Sequence, residues 1–175
     1  MSKRTLIVQP AAGYPPRIGT YLAMLDDVRR RTKRYVEGLS AEQLSWHPQP
    51  NVESIGTLLL HIAATEFSYI QEDIIRRPMG EEWLIAYPIR FGRPQVTGEQ
   101  LPFYLRRLDD VREETCKLLL GFSDDDLNRL ISPLDPGDST SGPVEYSIEW
   151  ILYHLVEHEA HHKGQIAVMK RLLPV

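Results

Sequence analysis

Apolar residues recur at helical spacing in four long stretches of the chain, and the segments between these stretches show no sustained period. The first stretch runs from Ile18 to about Leu39, and its apolar positions are separated by three, four or seven residues: Tyr21, Leu25, Val28, Tyr35 and Leu39. Such spacing predicts an amphipathic helix. Its solvent face is predicted to carry most of the charged side chains, namely Asp26, Asp27, Arg29, Arg30 and Lys33.

Three further helices are predicted in the same way. The second runs from Ser54 to about Ile75, and His61 projects from the apolar arc that contains Leu58 and Ile62. The third follows the segment Thr97-Gly-Glu-Gln100, which matches a capping box, and runs to about Leu120. The fourth extends from about Tyr146 to Leu172.

The connections between these helices are long and rich in proline and glycine. Ser40-Ala-Glu-Gln43 is a capping box that predicts one short helical turn, and Ser123-Asp-Asp-Asp126 repeats it. Residues 76–96 predict a connection with a short helix around Trp83, and a second loop covers 133–143. We therefore expect an all-α protein, a four-helix bundle forming a single domain over residues 1–175, with 1–15 as an N-terminal extension.

Four of the six histidines lie in a stretch of nine residues inside the predicted fourth helix. At about 100° per residue, His162 falls in the middle of the apolar arc and His158 inside its edge. His154 and His161 fall on the flank. The helical period therefore selects His158 and His162 as the inward pair, and leaves the role of the other two open.

Two histidines in an apolar seam are costly to bury unless their ring nitrogens are satisfied. A divalent metal would satisfy both, and His61 on the second helix would complete a set of three imidazoles. Three protein ligands with one open position are typical of catalytic zinc sites. Carboxylates and amides near the histidines are candidate hydrogen-bond partners of the ligands, namely Glu66, Glu157, Glu159 and Gln165. Glu66 and Glu159 are also the candidate general acids or bases.

Other interpretations compete with this one. Each histidine could be a core residue satisfied by neighbouring hydrogen bonds, in a metal-free helical interaction module. His158-Glu159-Ala160-His161-His162 also matches His-Glu-x-x-His, which would make Glu159 a metalloprotease base. The predicted bundle lacks the accompanying elements of such a protease.

Composition narrows the function further. The chain of 175 residues has a net charge of −4, and its basic residues form no stripe along the sequence. Both observations argue against nucleic acids and anionic membranes as partners. The apolar runs are too short for a transmembrane span or a signal peptide. The single cysteine, Cys116, fits a reducing compartment, so we expect a cytoplasmic protein.

Two segments carry a family resemblance. Ser54-Ile-Gly-Thr-Leu-Leu-Leu-His61-Ile-Ala-Ala-Thr-Glu66 and His158-Glu-Ala-His-His162-Lys-Gly-Gln165-Ile resemble the signature segments of the DinB-like superfamily, which includes the YfiT-like metal-dependent hydrolases. The resemblance implies a bundle of the DinB/YfiT type with His61, His158 and His162 as the ligands of zinc or nickel. Lys163 stands where the family more often has arginine.

The resemblance also bears on function. It implies a homodimer acting on a small-molecule substrate, either as a hydrolase or as an S-transferase that uses a low-molecular-weight thiol such as bacillithiol or mycothiol. The alternative is a non-catalytic protein, either metal-binding or stress-associated, built on a dimeric helical bundle. The residues alone do not decide between an enzyme and a binding protein.

Overall fold

The computed structural model describes residues 5–134 and 143–174, and the described chain is almost entirely helical. Six α-helices occur in it: α1 (Pro16–Val36), α2 (Ala41–Ser45), α3 (Ile55–Phe67), α4 (Pro88–Phe91), α5 (Leu101–Leu119) and α6 (Ile148–Leu172). The four long helices, α1, α3, α5 and α6, form a four-helix bundle, as predicted. Residues 1–4 of the expected extension and 135–142 of the expected loop lie outside the described range.

Shorter elements fill the connections. Two 3₁₀ helices cover Glu81–Ala86 and Asp124–Asn128, the first of them at the predicted short helix around Trp83. The strands β1 (Leu130–Ile131) and β2 (Tyr146–Ser147) pair in antiparallel register, with Leu130 opposite Ser147. No helix within residues 5–134 and 143–174 is long and apolar enough to cross a membrane.

Two of the three capping boxes predicted from the sequence are present in the structure. The Gln43 N–H donates to Ser40 Oγ at 3.2 Å while Gln43 Oε1 accepts from the Ser40 N–H, and Ser123 forms the equivalent box with Asp126. The box predicted at Thr97 is wrong. Helix α5 begins after Gln100, which makes no side-chain cap bond, and Gly98 has φ of +80°. That glycine turns the chain away before the helix starts.

The predicted second helix changes its winding near its end. Helix α3 stops at Phe67 and continues as a π-helix over Ser68–Ile74. The Ile75 N–H accordingly donates to the Ile70 carbonyl, five residues earlier. A π-turn rotates the following side chains relative to an α-helix. It therefore changes which of these residues face the bundle.

A layer of buried charges crosses the middle of the bundle. It consists of one residue from each long helix: Arg29 (α1), Glu66 (α3), Arg112 (α5) and Glu159 (α6), all at most 8% exposed. Arg29 was predicted on the solvent face, and that prediction is wrong because two buried carboxylates pair with it. Tyr35, predicted on the apolar face, is exposed. We call the four buried residues the charged layer.

The charged layer separates two apolar clusters. One surrounds α3, the first half of α5 and the end of α6, and contains Leu59, Tyr104 and Ile166. The other surrounds the first halves of α1 and α6, and contains Leu22 and Ile151. Along both α1 and α6, the layer residue lies in sequence between the two clusters.

Candidate metal centre

His61, His158 and His162 converge between α3 and α6. Their candidate ligand atoms all lie within 4.8 Å of one another. The Nε2 atom of His158 is 3.2 Å from Nε2 of His61 and 3.0 Å from Nε2 of His162. The structure thus brings the inward pair selected by the helical period, His158 and His162, together with His61, the predicted third member of the set.

The positions of these side chains follow from how the two helices begin. Ser54 caps α3, its Oγ accepting from the Thr57 N–H at 3.1 Å, and Ser147 caps α6 by accepting from the Trp150 N–H. Each cap fixes the first turn of its helix. The helical period then carries His61 and the pair at i, i+4 to facing sides of the same gap.

Hydrogen bonds between neutral rings cannot satisfy this arrangement. A ring nitrogen holds either one proton or one in-plane lone pair, so His158 Nε2 can form one of its two close contacts as a hydrogen bond, but not both. His162 donates from Nδ1 to Gln165 Oε1 at 2.6 Å, so its Nε2 presents a lone pair when the ring is neutral. Protein groups alone therefore leave a nitrogen unsatisfied.

Protonation of the rings is also opposed. Two causes lower the pKa of His61 to about 4: burial of the ring is the larger one, and the neighbouring His162 is the smaller. Burial, and then His162 and His61, lower the pKa of His158 to about 3. Burial also lowers the pKa of His162, although its bond to Gln165 acts in the opposite direction. All three imidazoles are thus neutral near pH 7, which is the form that binds a metal.

The donor set fits a divalent cation. Tetrahedral zinc with bonds of about 2.0–2.1 Å to imidazole nitrogen places the nitrogens roughly 3.3 Å apart. The separations of Nε2 of His158 from Nε2 of His162 and of His61, 3.0 and 3.2 Å, are close to that spacing. No fourth His, Cys, Asp or Glu of residues 5–134 and 143–174 joins the group. The described chain thus offers three imidazole nitrogens that could hold one ion.

Nδ1, the ring nitrogen of each imidazole that lies outside the close Nε2 contacts, has different surroundings in His162 and in His61. Gln165, one of the predicted hydrogen-bond partners, holds His162 through Nδ1. Nδ1 of His61 is buried and has no hydrogen-bond partner among the described residues, and the ring of Tyr87 packs against that imidazole at 5.0 Å. His162 is therefore the candidate ligand whose Nδ1 has a defined hydrogen-bond partner.

Glu66 and Glu159, the candidate acid–base residues, both belong to the charged layer. Arg112 and Thr115 donate to Glu66 Oε1, each at 2.8 Å, and Arg29 donates to Glu66 Oε2 at 2.8 Å. Arg29 Nε also donates to both oxygens of Glu159. Burial raises the pKa of Glu66, but Arg112 and Arg29 outweigh it and lower that pKa to about 2. Both carboxylates are thus engaged by arginines.

The two flanking histidines have separate environments. His161 is exposed and packs edge-on against the ring of His162 at 5.2 Å. His154 stacks on Trp150 at 4.8 Å with a 6° angle between the rings, and Trp150 stacks in turn on Tyr146. Trp150, His154 and His158 follow each other at i, i+4 along α6, and Tyr146, in β2, precedes Trp150 by the same four residues. That repeat is visible in the sequence and marks a continuous aromatic face leading to the ligand His158.

A pocket of about 270 Å³ opens beside the triad. Residues from distant segments line it together with the ligand His158: Tyr69, Asp73, Tyr87, Tyr146 and His154. Sequence reasoning missed this pocket. The i, i+4 aromatic repeat could have indicated the α6 side of it, but no pattern in the sequence indicates the π-helix that contributes Tyr69 and Asp73.

Comparison with known proteins places this fold and triad in a family. Residues 24–166 match the DinB superfamily. The chain belongs to the DinB superfamily. Within the superfamily it is 29% identical over 148 residues to the uncharacterized protein YizA of Bacillus subtilis (strain 168), a match that covers 83% of this chain and 81% of YizA.

Two solved structures share the DinB fold. A conserved protein from Enterococcus faecalis superposes with a TM-score of 0.63 at 14% identity, over 87% of this chain and 94% of the other. A DinB-like protein from Bacillus cereus ATCC 10987 superposes with a TM-score of 0.58 at 19% identity, over 95% and 94% of the two chains. At these identities the likeness concerns the fold.

Proposed function

We propose that this DinB-superfamily protein is an enzyme that depends on a divalent metal ion, zinc or nickel, held by His61, His158 and His162. The observation that supports the proposal most is the close approach of Nε2 of His158 to Nε2 of His61, at 3.2 Å, and to Nε2 of His162, at 3.0 Å. A single cation would accept all three lone pairs. Three ligands, rather than four, favour a catalytic over a closed structural site.

The protein's own residues have separable roles in this proposal. The three imidazoles hold the ion, and Gln165 orients His162 by accepting its Nδ1 proton. The pocket of about 270 Å³ beside His158 receives the substrate. When bound, the ion would supply Lewis-acid activation of a water, a thiol or a substrate oxygen.

The charged layer favours thiol transfer over hydrolysis. A hydrolase of the His-Glu-x-x-His type uses a free carboxylate as base, whereas Glu66 and Glu159 are both engaged by arginines. A thiol, with a pKa of about 8.5, ionises readily near a cation and needs no carboxylate base. In the transfer, the thiolate sulfur bonds to an electrophilic carbon, the leaving group departs with its electron pair, and the thiol proton passes to solvent.

Metal content tests the first part of this function. Protein purified without a polyhistidine tag and supplemented with zinc and nickel is expected to hold about one ion per chain by elemental analysis. His61→Ala should lose the ion, and His161→Ala, the matched control on the flank, should keep it. Absence of bound metal in the wild-type protein after supplementation would contradict the proposal.

Activity assays then separate the reactions. We expect metal-dependent S-alkylation of a small thiol by an alkyl halide, lost in His61→Ala. Metal-dependent cleavage of a nitrophenyl ester without thiol would support hydrolysis instead. A loaded protein that is inactive in both assays would favour the alternative, a non-catalytic metal-binding protein.

We further propose that the protein acts in the cytoplasm as a homodimer. The lone thiol of Cys116 is compatible with a reducing compartment, and the dimer follows the family resemblance. Light scattering coupled to size-exclusion chromatography measures the mass directly. A mass of one chain would contradict the dimer without affecting the metal site.

A further inference from the structure

His61 is held differently from His162 of the triad. Its Nε2 atom approaches Nε2 of His158 at 3.2 Å, so Nδ1 is the nitrogen on the outer side of the ring. This Nδ1 is buried and has no hydrogen-bond partner among residues 5–134 and 143–174. A neutral imidazole that binds a cation through Nε2 carries its proton on Nδ1. The described chain thus offers that N–H no acceptor, and no hydrogen bond fixes the orientation of the ring.

An aromatic ring lies against this imidazole instead. The ring centroids of Tyr87 and His61 are 5.0 Å apart, and the two ring planes meet at an angle of 87°. Such edge-to-face contacts are directional, because the edge of an aromatic ring is electropositive and its face electronegative. Of the aromatic rings in the described chain that contact His61, that of Tyr87 is the one outside the triad. The plane of the His61 ring is therefore defined by packing rather than by a hydrogen bond.

The backbone of Tyr87 is fixed on both sides. Its N–H donates to the Leu84 carbonyl at 3.2 Å, and its carbonyl accepts from the Phe91 N–H at 3.1 Å. Pro88, which follows, is buried and restricts the conformations open to Tyr87. Ala86, which precedes it, is fully buried. The side chain of Tyr87 is thus presented to α3 from a turn that is anchored in the core.

The tyrosine also reaches the next turn of α3. Burial raises the pKa of Tyr87, and hydrogen bonding with the Thr65 hydroxyl opposes this increase. Thr65 follows His61 at i, i+4 and therefore lies on the same face of α3. Tyr87 and Thr65 both line the pocket that contains His158. One side chain from outside the four long helices thus covers adjacent turns of α3 at the triad.

We propose that Tyr87 is the positioning residue of His61: its ring holds the imidazole in the orientation that directs Nε2 toward the metal ion, as the Gln165 hydrogen bond does for His162. The inference rests on the metal site of the proposed function. Without such a neighbour the imidazole could rotate about its Cβ–Cγ bond at little cost, since torsions of this kind have broad minima. The edge-to-face contact opposes that rotation. The connection between α3 and α5 is thereby part of the metal site.

The zinc affinity of Tyr87 variants tests this role. Tyr87→Leu removes the ring and is expected to weaken zinc binding about 3- to 10-fold, as for the loss of one aromatic pair. Tyr87→Phe keeps the ring and should bind zinc as the wild type does. Tyr146→Leu is the matched control and should also bind like the wild type, because Tyr146 lines the same pocket but packs on Tyr69 and Trp150. Competition with a chromophoric chelator measures each affinity.

The absorption spectrum of the Co²⁺-loaded protein separates positioning from a merely structural role. The d–d bands of cobalt respond to the geometry of its ligands, so Tyr87→Leu should shift them and Tyr87→Phe should retain the wild-type bands. A loss of stability alone would lower the midpoint of urea unfolding of the metal-free protein and leave the bands unchanged. Tyr87→Met, whose flexible side chain refills part of the space, gives the same comparison where Tyr87→Leu does not fold.

The possible failures are distinguishable. Wild-type protein that binds neither zinc nor cobalt would overturn the metal site and this inference together. Wild-type protein that binds cobalt, with bands that stay unchanged when the Tyr87 ring is removed, would overturn the positioning role alone. Equal weakening of zinc binding in Tyr87→Leu and Tyr87→Phe would also overturn it, because the hydroxyl rather than the ring would then be responsible.

Discussion

Nε of Arg29 on α1 donates to Oε1 of Glu159 on α6 at 2.9 Å, so the residue that follows the ligand His158 is tied to the first helix. The same guanidinium donates to Glu66 on α3, the helix that carries His61. Arg29 therefore joins the two helices of the triad without contacting a ligand. The charged layer is in this sense a frame for the site.

Removing one charge of the frame should be costly. Arg29→Met leaves Glu66 and Glu159 to share Arg112, and we expect the free energy of unfolding to fall by about 3–5 kcal/mol. Urea unfolding of metal-free protein measures it. Arg29→Met combined with Glu159→Leu should be less destabilised than the sum of the single variants, because charge balance returns. Additive losses would contradict paired burial of the charges.

The stability should depend on pH through Glu66. Its pKa is about 2 in the folded protein and about 4.5 without its partners. Because the pKa of Glu66 is lower in the folded than in the unfolded protein, its ionised form stabilises the fold at pH values above about 4.5. This stabilisation is lost as the pH falls from about 4.5 toward 2. Urea midpoints across that range should fall more steeply for the wild type than for Glu66→Gln. Parallel pH profiles would show that Glu66 is not the titrating group.

Gln165 should affect metal affinity without affecting the fold. Its side chain is exposed and orients His162 through a 2.6 Å hydrogen bond. Loss of such a partner typically weakens metal binding by about 10- to 100-fold. Competition with a chromophoric chelator measures the affinity of Gln165→Ala, with His161→Ala as the control. Equal affinities for the two variants would argue against an orienting role.

Replacing either of two glycines with alanine should change the stability of the fold, but in opposite directions. A Cβ on Gly56 would lie 2.7 Å from Cζ and Oη of Tyr104, which is fully buried. Gly56→Ala should therefore destabilise the fold by about 1–3 kcal/mol. Gly164, within α6, has nothing within 4 Å of the added atom, so Gly164→Ala should stabilise by roughly 0.5–1 kcal/mol. Thermal unfolding of metal-free protein compares them, and a shared sign would contradict the close contact at Gly56.

Helical periodicity was enough to predict the bundle and the inward pair His158 and His162, because both depend on which residues share a helix face. The choice of His61 as their partner came from the need for a third ligand and from the family resemblance. Periodicity could not predict the burial of Arg29. Its partners Glu66 and Glu159 are 37 and 130 residues away, and a buried arginine has the same place in the pattern as a surface one.

The pocket could not be predicted for a related reason. It combines Asp73, Tyr87 and Tyr146 from three segments that are distant in sequence. The π-turn, itself absent from the pattern, decides that Asp73 takes part. Periodicity identifies faces of single helices, whereas the pocket depends on how irregular segments meet.

The charged layer has a consequence for how such proteins diverge. A change at Arg29 or Glu159 leaves a buried partner without its counter-ion, so substitutions there are tolerated chiefly in compensating pairs. Tyr87 and Tyr146, at the edges of the pocket, take no part in these ion pairs. Under the proposed function, substitutions in the pocket could change the substrate while the frame that assembles the histidines stays the same.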